Sequence, residues 1–252
     1  MADWDFYLDV LKRVPDLLKG AGLTINLVAV SGLIGLCIAI PMAALRTSRR
    51  PIFWVPAYAY IFFFRGTPLM VQLFLIYYGL GQFDVVTNSF LWPVLREAYW
   101  CAVISFALNT GAYTAEILRG GIEAVPLGEV EAARASGMSR FQVYRYVVIP
   151  RAFRIAFPAY GNEIILMIKS SAIVSLVTLF DLMGMARQIF SRTFAIEIFL
   201  YAALIYLILS YVLVHLWGWI ERRLNRHLLA APESLSTIGI NAPAIDGKPV
   251  SQ

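Results

Sequence analysis

Apolar residues fall in five long blocks along the chain, separated by short polar connectors. The first runs Leu23–Leu45, the third from about Ala98 to Leu118, the fourth from about Ile155 to Phe180, and the fifth from Phe194 to Trp219. Each is near the roughly 20 residues that a bilayer core requires, so each predicts one spanning helix. The second block, Phe53–Leu80, is interrupted by Arg65-Gly66-Thr67-Pro68. A charge and two helix breakers at mid-block predict a functional break in the span, or a structural kink whose freed backbone groups are satisfied by Thr67 and neighbouring helices. The aromatic-rich run Trp54–Phe64 reads as an interfacial and packing surface. Met1–Lys19 is amphipathic with mixed charges, which suits a surface-lying segment or a solvated leader. The Pro-, Ser-, Gly- and Ala-rich end predicts a flexible tail over 227–252.

One connector is unlike the others. Glu131–Pro150 is charged, rich in small residues and predicts two short helices. Glu129 and Glu131 suit the positive end of the first, and Gly137 ends it. Ser139 caps the second, with Gln142 completing a capping box and Met138 and Val143 at the staple positions. Pro150 is expected to stop that helix. The stretch is too polar to lie in lipid. It is a solvated loop between spans or something more specific. A DNA-reading helix–turn–helix is disfavoured, because a tether between two spans keeps it from DNA.

Composition agrees with a membrane protein: of 252 residues, 60% are hydrophobic and only 15% charged. The start, Met1-Ala-Asp-Trp-Asp, has acids where a secretory signal has a basic region, so the first span is expected to remain as an anchor. Cys37 and Cys101 lie in apolar blocks and read as packed hydrophobes, with no metal site. The net charge of +5 matters less than its placement. Thirteen Lys and Arg fall in the connectors after blocks one and three and in the tail, against six on the other side. That bias puts the N-terminus outside, the C-terminus inside and Glu131–Pro150 in the cytoplasm.

Ionisable groups inside a bilayer are expensive and face protein or a water path. Asn109, Glu116, Glu163 and Lys169 are the candidates. They are either interhelical glue or the lining of a substrate path, where a buried carboxylate suits a cationic ligand. Met167 lies one helical turn beyond Glu163 and can share its face. The sequence contains no phosphate-binding loop, since the only Gly-Lys pair, Gly247-Lys248, precedes Pro249. It also lacks a metal-ligand spacing, and its two histidines lie far from any serine–acid pair. An intramembrane enzyme is disfavoured on these grounds.

Glu131-Ala132-Ala133, then Gly137, then Ile149-Pro150 resembles the EAA loop of membrane subunits of bacterial ATP-binding-cassette (ABC) importers. Where that pattern has Ile-x-Leu-Pro, this chain has apolar Val147 and Ile149 before Pro150. Further similarity lies in Gly22–Leu27, Phe64–Pro68, Asn109–Glu116 and Ala124–Ala133, and points to the polar amino-acid branch. Within it the likeness is nearest to M-type permease subunits for histidine, lysine, arginine and ornithine, and to opine permeases.

The resemblance implies an all-α type I importer transmembrane domain over 23–226, about five spans, with a coupling loop over 119–154. A periplasmic amphipathic segment, 1–22, precedes it. The implied partners are two ATPase subunits, a related Q-type permease subunit or a second copy, a periplasmic amino-acid-binding protein, and an amino-acid substrate. No cofactor, catalytic residue or nucleic acid is implied. Glu131, Ala132, Ala133, Gly137 and Pro150 would couple to the ATPases, and Asn109, Glu163 and Met167 would line the path. A self-contained secondary transporter is the alternative. Against it, no internal inverted repeat is detectable and five spans do not halve.

Overall fold

The computed structural model describes residues 12–224, and no strand occurs among them. Helices dominate because a backbone in hydrocarbon must satisfy its own N–H and C=O groups. In order they are α1 (Val14–Arg46), α2 (Pro51–Gly66), α3 (Leu69–Phe74), α4 (Ala98–Glu123), α5 (Leu127–Ala135), α6 (Arg140–Val143), α7 (Ile149–Ser170), α8 (Leu182–Thr193) and α9 (Glu197–Leu224). Two single-turn helices, Asp84–Thr87 and Trp92–Leu95, occupy the polar connector after the second block. Four stretches are long and apolar enough to cross a membrane: Val14–Arg46, Ala98–Glu123, Arg140–Val177 and Glu197–Leu224. The pair Pro51–Gly66 and Leu69–Gln82, bent by 102°, makes a fifth if it is one broken span.

Several boundaries differ from the sequence expectation. Helix α1 begins at Val14 rather than Leu23, with Pro15 in its first turn. Hydropathy marks where the chain turns apolar, whereas Leu17 already packs with Leu182, Ala186 and Ile198. Residues 14–22 are therefore continuous with the first span; residues 1–11 and the expected tail over 227–252 lie outside the described residues. Helix α8 was not expected. Asp181 caps it, accepting from Gly184 N–H at 2.9 Å.

Pro150 does not stop its helix. Residues Tyr144–Val148 form a π-helical stretch in which Ile149 N–H reaches back to the Tyr144 carbonyl. Helix α7 then runs on, with Pro150 in its first turn. A proline crowds the carbonyl four residues back, and the widened turn shifts that register. Glu131 is also misplaced by the sequence reading: only Glu129 lies in the first turn of α5.

Small residues bring the spans close. Gly20, Ala21, Thr24, Ser31, Gly32, Gly35, Ala39 and Ala43 are buried along α1, and a Cβ on Gly35 would overlap the Thr110 methyl on α4. Between α7 and α9, the Trp217 indole fills the space a Gly161 side chain would need. It stacks on Phe157 with centroids 4.6 Å apart and donates to the Phe157 carbonyl at 3.0 Å. Gly161→Leu is therefore expected to destabilise the protein by about 1–3 kcal/mol through overpacking. The thermal midpoint in detergent should fall relative to Gly22→Ala, whose added Cβ meets nothing within 4 Å. Equal midpoints would mean that Trp217 yields freely.

Candidate functional site

The break between α2 and α3 organises the centre of the chain. Thr67 is extended (φ −114°, ψ 145°), as a residue before proline must be. The freed carbonyls have partners. The Thr67 hydroxyl donates to Phe63 O at 2.8 Å. The Gln72 amide, 3% exposed, donates to Phe64 O at 2.9 Å, Thr67 O at 3.0 Å and Thr67 Oγ1 at 2.7 Å. Asn109 Nδ2 reaches from α4 to Phe64 O at 3.0 Å and to Gln72 Oε1 at 3.1 Å. The Asn109 amide nitrogen thus holds the break. Gln72 was missed in the sequence; its signal was a lone amide in the run Leu69–Phe74.

Against this break lies a cavity of about 450 Å³. Its wall comes from Arg65–Leu69, from Phe106, Asn109, Thr110 and Tyr113 on α4, and from Glu163, Leu166, Met167 and Ser170 on α7. Both helical sets recur at i, i+3, i+4 and i+7, one face of each helix. Asn109, Glu163 and Met167 are brought together here. Glu163 accepts from Thr110 Oγ1 at 3.2 Å. It lies deep in α7 because that helix starts at Ile149, with Pro158 inside it. The Arg65 guanidinium sits 5.1 Å above the Tyr113 ring. The cavity therefore presents one carboxylate and one guanidinium, and suits a ligand carrying both signs of charge. Glu116 and Lys169 do not line it. Glu116 pairs with Arg119, which also pairs with Glu123, and Lys169 is exposed at the end of α7. Among the described residues no His, Cys, Asp and Glu cluster has the arrangement to hold a metal ion.

The second feature is the polar stretch between α4 and α7. Gly137 has φ +80°. Met138 N–H donates to Ala133 O at 3.2 Å and Gly137 N–H to Arg134 O at 2.9 Å, the paired bonds of a Schellman end. Ser139 and Gln142 form the expected capping box. Val143 is buried, packed with Val125, Ala133, Val148 and Ala152, whereas Met138 is 39% exposed and outside that cluster. Ala133 thus faces inward, while Glu131, Ala132, Gly137 and Pro150 are exposed. Leu127 and Phe141, 77% and 76% exposed, flank them as unpaired apolar surface; no motif marked them. The cluster spans α4 to α7, and Arg151 pairs with Glu129 at 3.4 Å, so the loop is fastened to both helices that line the cavity.

The family model for the binding-protein-dependent transport system inner membrane component matches residues 35–226. An octopine transport system permease protein of Rhizobium radiobacter is 48% identical over 219 residues, covering 83% of this chain and 89% of the relative. The histidine/lysine/arginine/ornithine transport system permease protein of Escherichia coli K12 is 42% identical over 211 residues, covering 83% and 89%. A crystal structure of an amino acid ABC transporter with histidines superposes with a TM-score of 0.79 and 37% identity, covering 88% of this chain and 99% of that one. A methionine ABC transporter, 20% identical with a TM-score of 0.71, shares the fold. The broken span, the capped polar loop and these matches lead to one conclusion: the chain belongs to the family of binding-protein-dependent transport system inner membrane components, multi-pass permease subunits of ABC importers in the inner membrane.

Proposed function

We propose that this permease subunit lines the path of an importer for cationic amino acids or opines. The observation that carries the substrate class is Glu163, the one carboxylate among the cavity-lining residues, placed beside Thr110 and Asn109. The relatives named for octopine and for histidine, lysine, arginine and ornithine support it, since all of those substrates carry a cationic or protonatable side chain. The subunit itself is non-catalytic. Two ATPase subunits supply the energy, a Q-type permease subunit or a second copy completes the path, and a periplasmic amino-acid-binding protein delivers substrate. The N-terminus is periplasmic and the C-terminus cytoplasmic.

The loop over 119–154 is the joint. Glu131 and Ala132, flanked by Leu127 and Phe141, form the face that seats in an ATPase. Ala133, Gly137 and Pro150 shape that face and join it to α7. When the ATPases close on ATP, the loop moves as a body with the ends of α4 and α7. Those helices carry Thr110 and Glu163, so the two cavity walls shift together or apart, a rigid-body form of alternating access. The test is reconstitution in proteoliposomes with its ATPase, permease and binding-protein partners. Labelled lysine, arginine, histidine or octopine should accumulate only with ATP, and loaded binding protein should raise ATP hydrolysis. Uptake by this chain without an ATPase would instead mark a secondary transporter.

A further inference from the structure

The cations on the N-terminal side of the membrane are gathered in one place. Of Lys12, Arg13, Lys19, Arg96, Arg187 and Arg192, only Arg96 lies away from the start of α1 and from α8. Arg13 and Arg192 line a small cleft between those two helices, together with Asp16, Gln188 and Thr193. The charges there do not balance. Asp16 is the only carboxylate among the lining residues, and Lys19 already bonds it at 3.0 Å. Among the described residues neither Arg13 nor Arg192 makes an ion pair. Arg13 is also the N-cap residue of α1, at the helix end that disfavours a cation. Two guanidiniums that share a cleft repel each other, and an anion between them removes that cost.

Depth in the membrane selects the anion. Leu17 packs with Ala195 and Ile198, where the apolar run of α9 begins. Arg13, about one turn before Leu17, therefore stands at the level of the lipid headgroups. The surface around these packed residues is apolar, with Leu18, Phe194, Ile196 and Leu200 all exposed. A basic cleft beside exposed apolar side chains fits a molecule with an anionic head and acyl chains. A docked binding protein fits less well, because no residue of the cleft lines the cavity to which substrate must be delivered. We propose that this cleft binds the phosphate of an anionic phospholipid in the leaflet nearest the N-terminus, with Arg13 and Arg192 as its ligands. The lipid bridges the start of α1 to the corner between α8 and α9. Nothing in this site depends on which substrate is carried.

The test is native mass spectrometry of the detergent-solubilised permease–ATPase complex, titrated with phosphatidylglycerol or phosphatidylcholine. The parent complex should retain phosphatidylglycerol in preference, and bound phosphatidylglycerol should raise its thermal midpoint. The double variant Arg13→Gln with Arg192→Gln should bind phosphatidylglycerol about tenfold or more weakly, with phosphatidylcholine unchanged. Arg13→Lys with Arg192→Lys keeps both charges and should keep most of the preference. That pair carries the comparison if the first double variant fails to assemble. Arg96→Gln removes the outlying cation and should leave the preference intact; a loss equal to that of the double variant would mark a general charge effect and overturn the site. Inorganic phosphate and glycerol phosphate form a third arm. If either raises the midpoint as far as phosphatidylglycerol does, the cleft takes a soluble anion and the lipid assignment falls. Equal phosphatidylglycerol affinity in the parent and the double variant overturns it too. So does a double variant whose only defect is weaker binding of the periplasmic binding protein.

Discussion

Glu163→Gln is expected to cut uptake of a cationic substrate by about a hundredfold while leaving the complex assembled. The substitution keeps size and shape, and the Gln oxygen can still accept from Thr110, which lies 3.2 Å away in the native site. What it removes is a negative charge in a cavity whose other charged lining group is the Arg65 guanidinium. Truncating one side of a desolvated, hydrogen-bonded charge pair costs about 2–5 kcal/mol, and about 1.4 kcal/mol is a factor of ten. The measurement is initial uptake into proteoliposomes, with co-elution of the ATPase as the assembly control. Unchanged uptake would leave Glu163 as interhelical glue to Thr110 and nothing more.

Gly137→Val should separate the ATPase cycle from transport. Gly137 sits at φ +80°, where a β-branched residue is strained by about 1–3 kcal/mol. An added Cβ would meet no atom within 4 Å, so the effect isolates the backbone rather than a clash. To relieve the strain the Schellman end must open. Ala133 then leaves the cluster with Val143 and Val148, and the face carrying Glu131 and Ala132 tilts away from its partner. Stimulation of ATP hydrolysis by loaded binding protein, and uptake with it, should fall about tenfold. Gly137→Asn should do far better, since asparagine tolerates the left-handed region. If Val and Asn behave alike, the turn does not depend on this φ.

The polar loop was the most legible part of the chain. Its capping box and glycine end are local devices, set by residues within five positions of one another, so Ser139, Gln142 and Gly137 could be placed without tertiary information. Pro150 was misread because the rule for proline assumes a regular α-helix before it, and the π stretch over Tyr144–Val148 leaves no mark in composition. Ala133 was read with Ala132 as contact surface. One residue along a helix turns the side chain by about 100°, and only the packing of α5 against α6 and the π stretch that follows it decides which alanine faces in.

By itself the sequence determined the number and approximate place of the apolar segments, the break at Arg65–Pro68, and the separation of a charged loop from the spans. Those follow from the cost of polar groups in hydrocarbon, which acts on every residue wherever its neighbours lie. Only the tertiary structure decided that Asn109 holds the break through Phe64 and Gln72, and that Thr110 meets Glu163. Each of these joins helices far apart in sequence, and depends on how closely the small-residue faces of α1, α4 and α7 let their backbones approach.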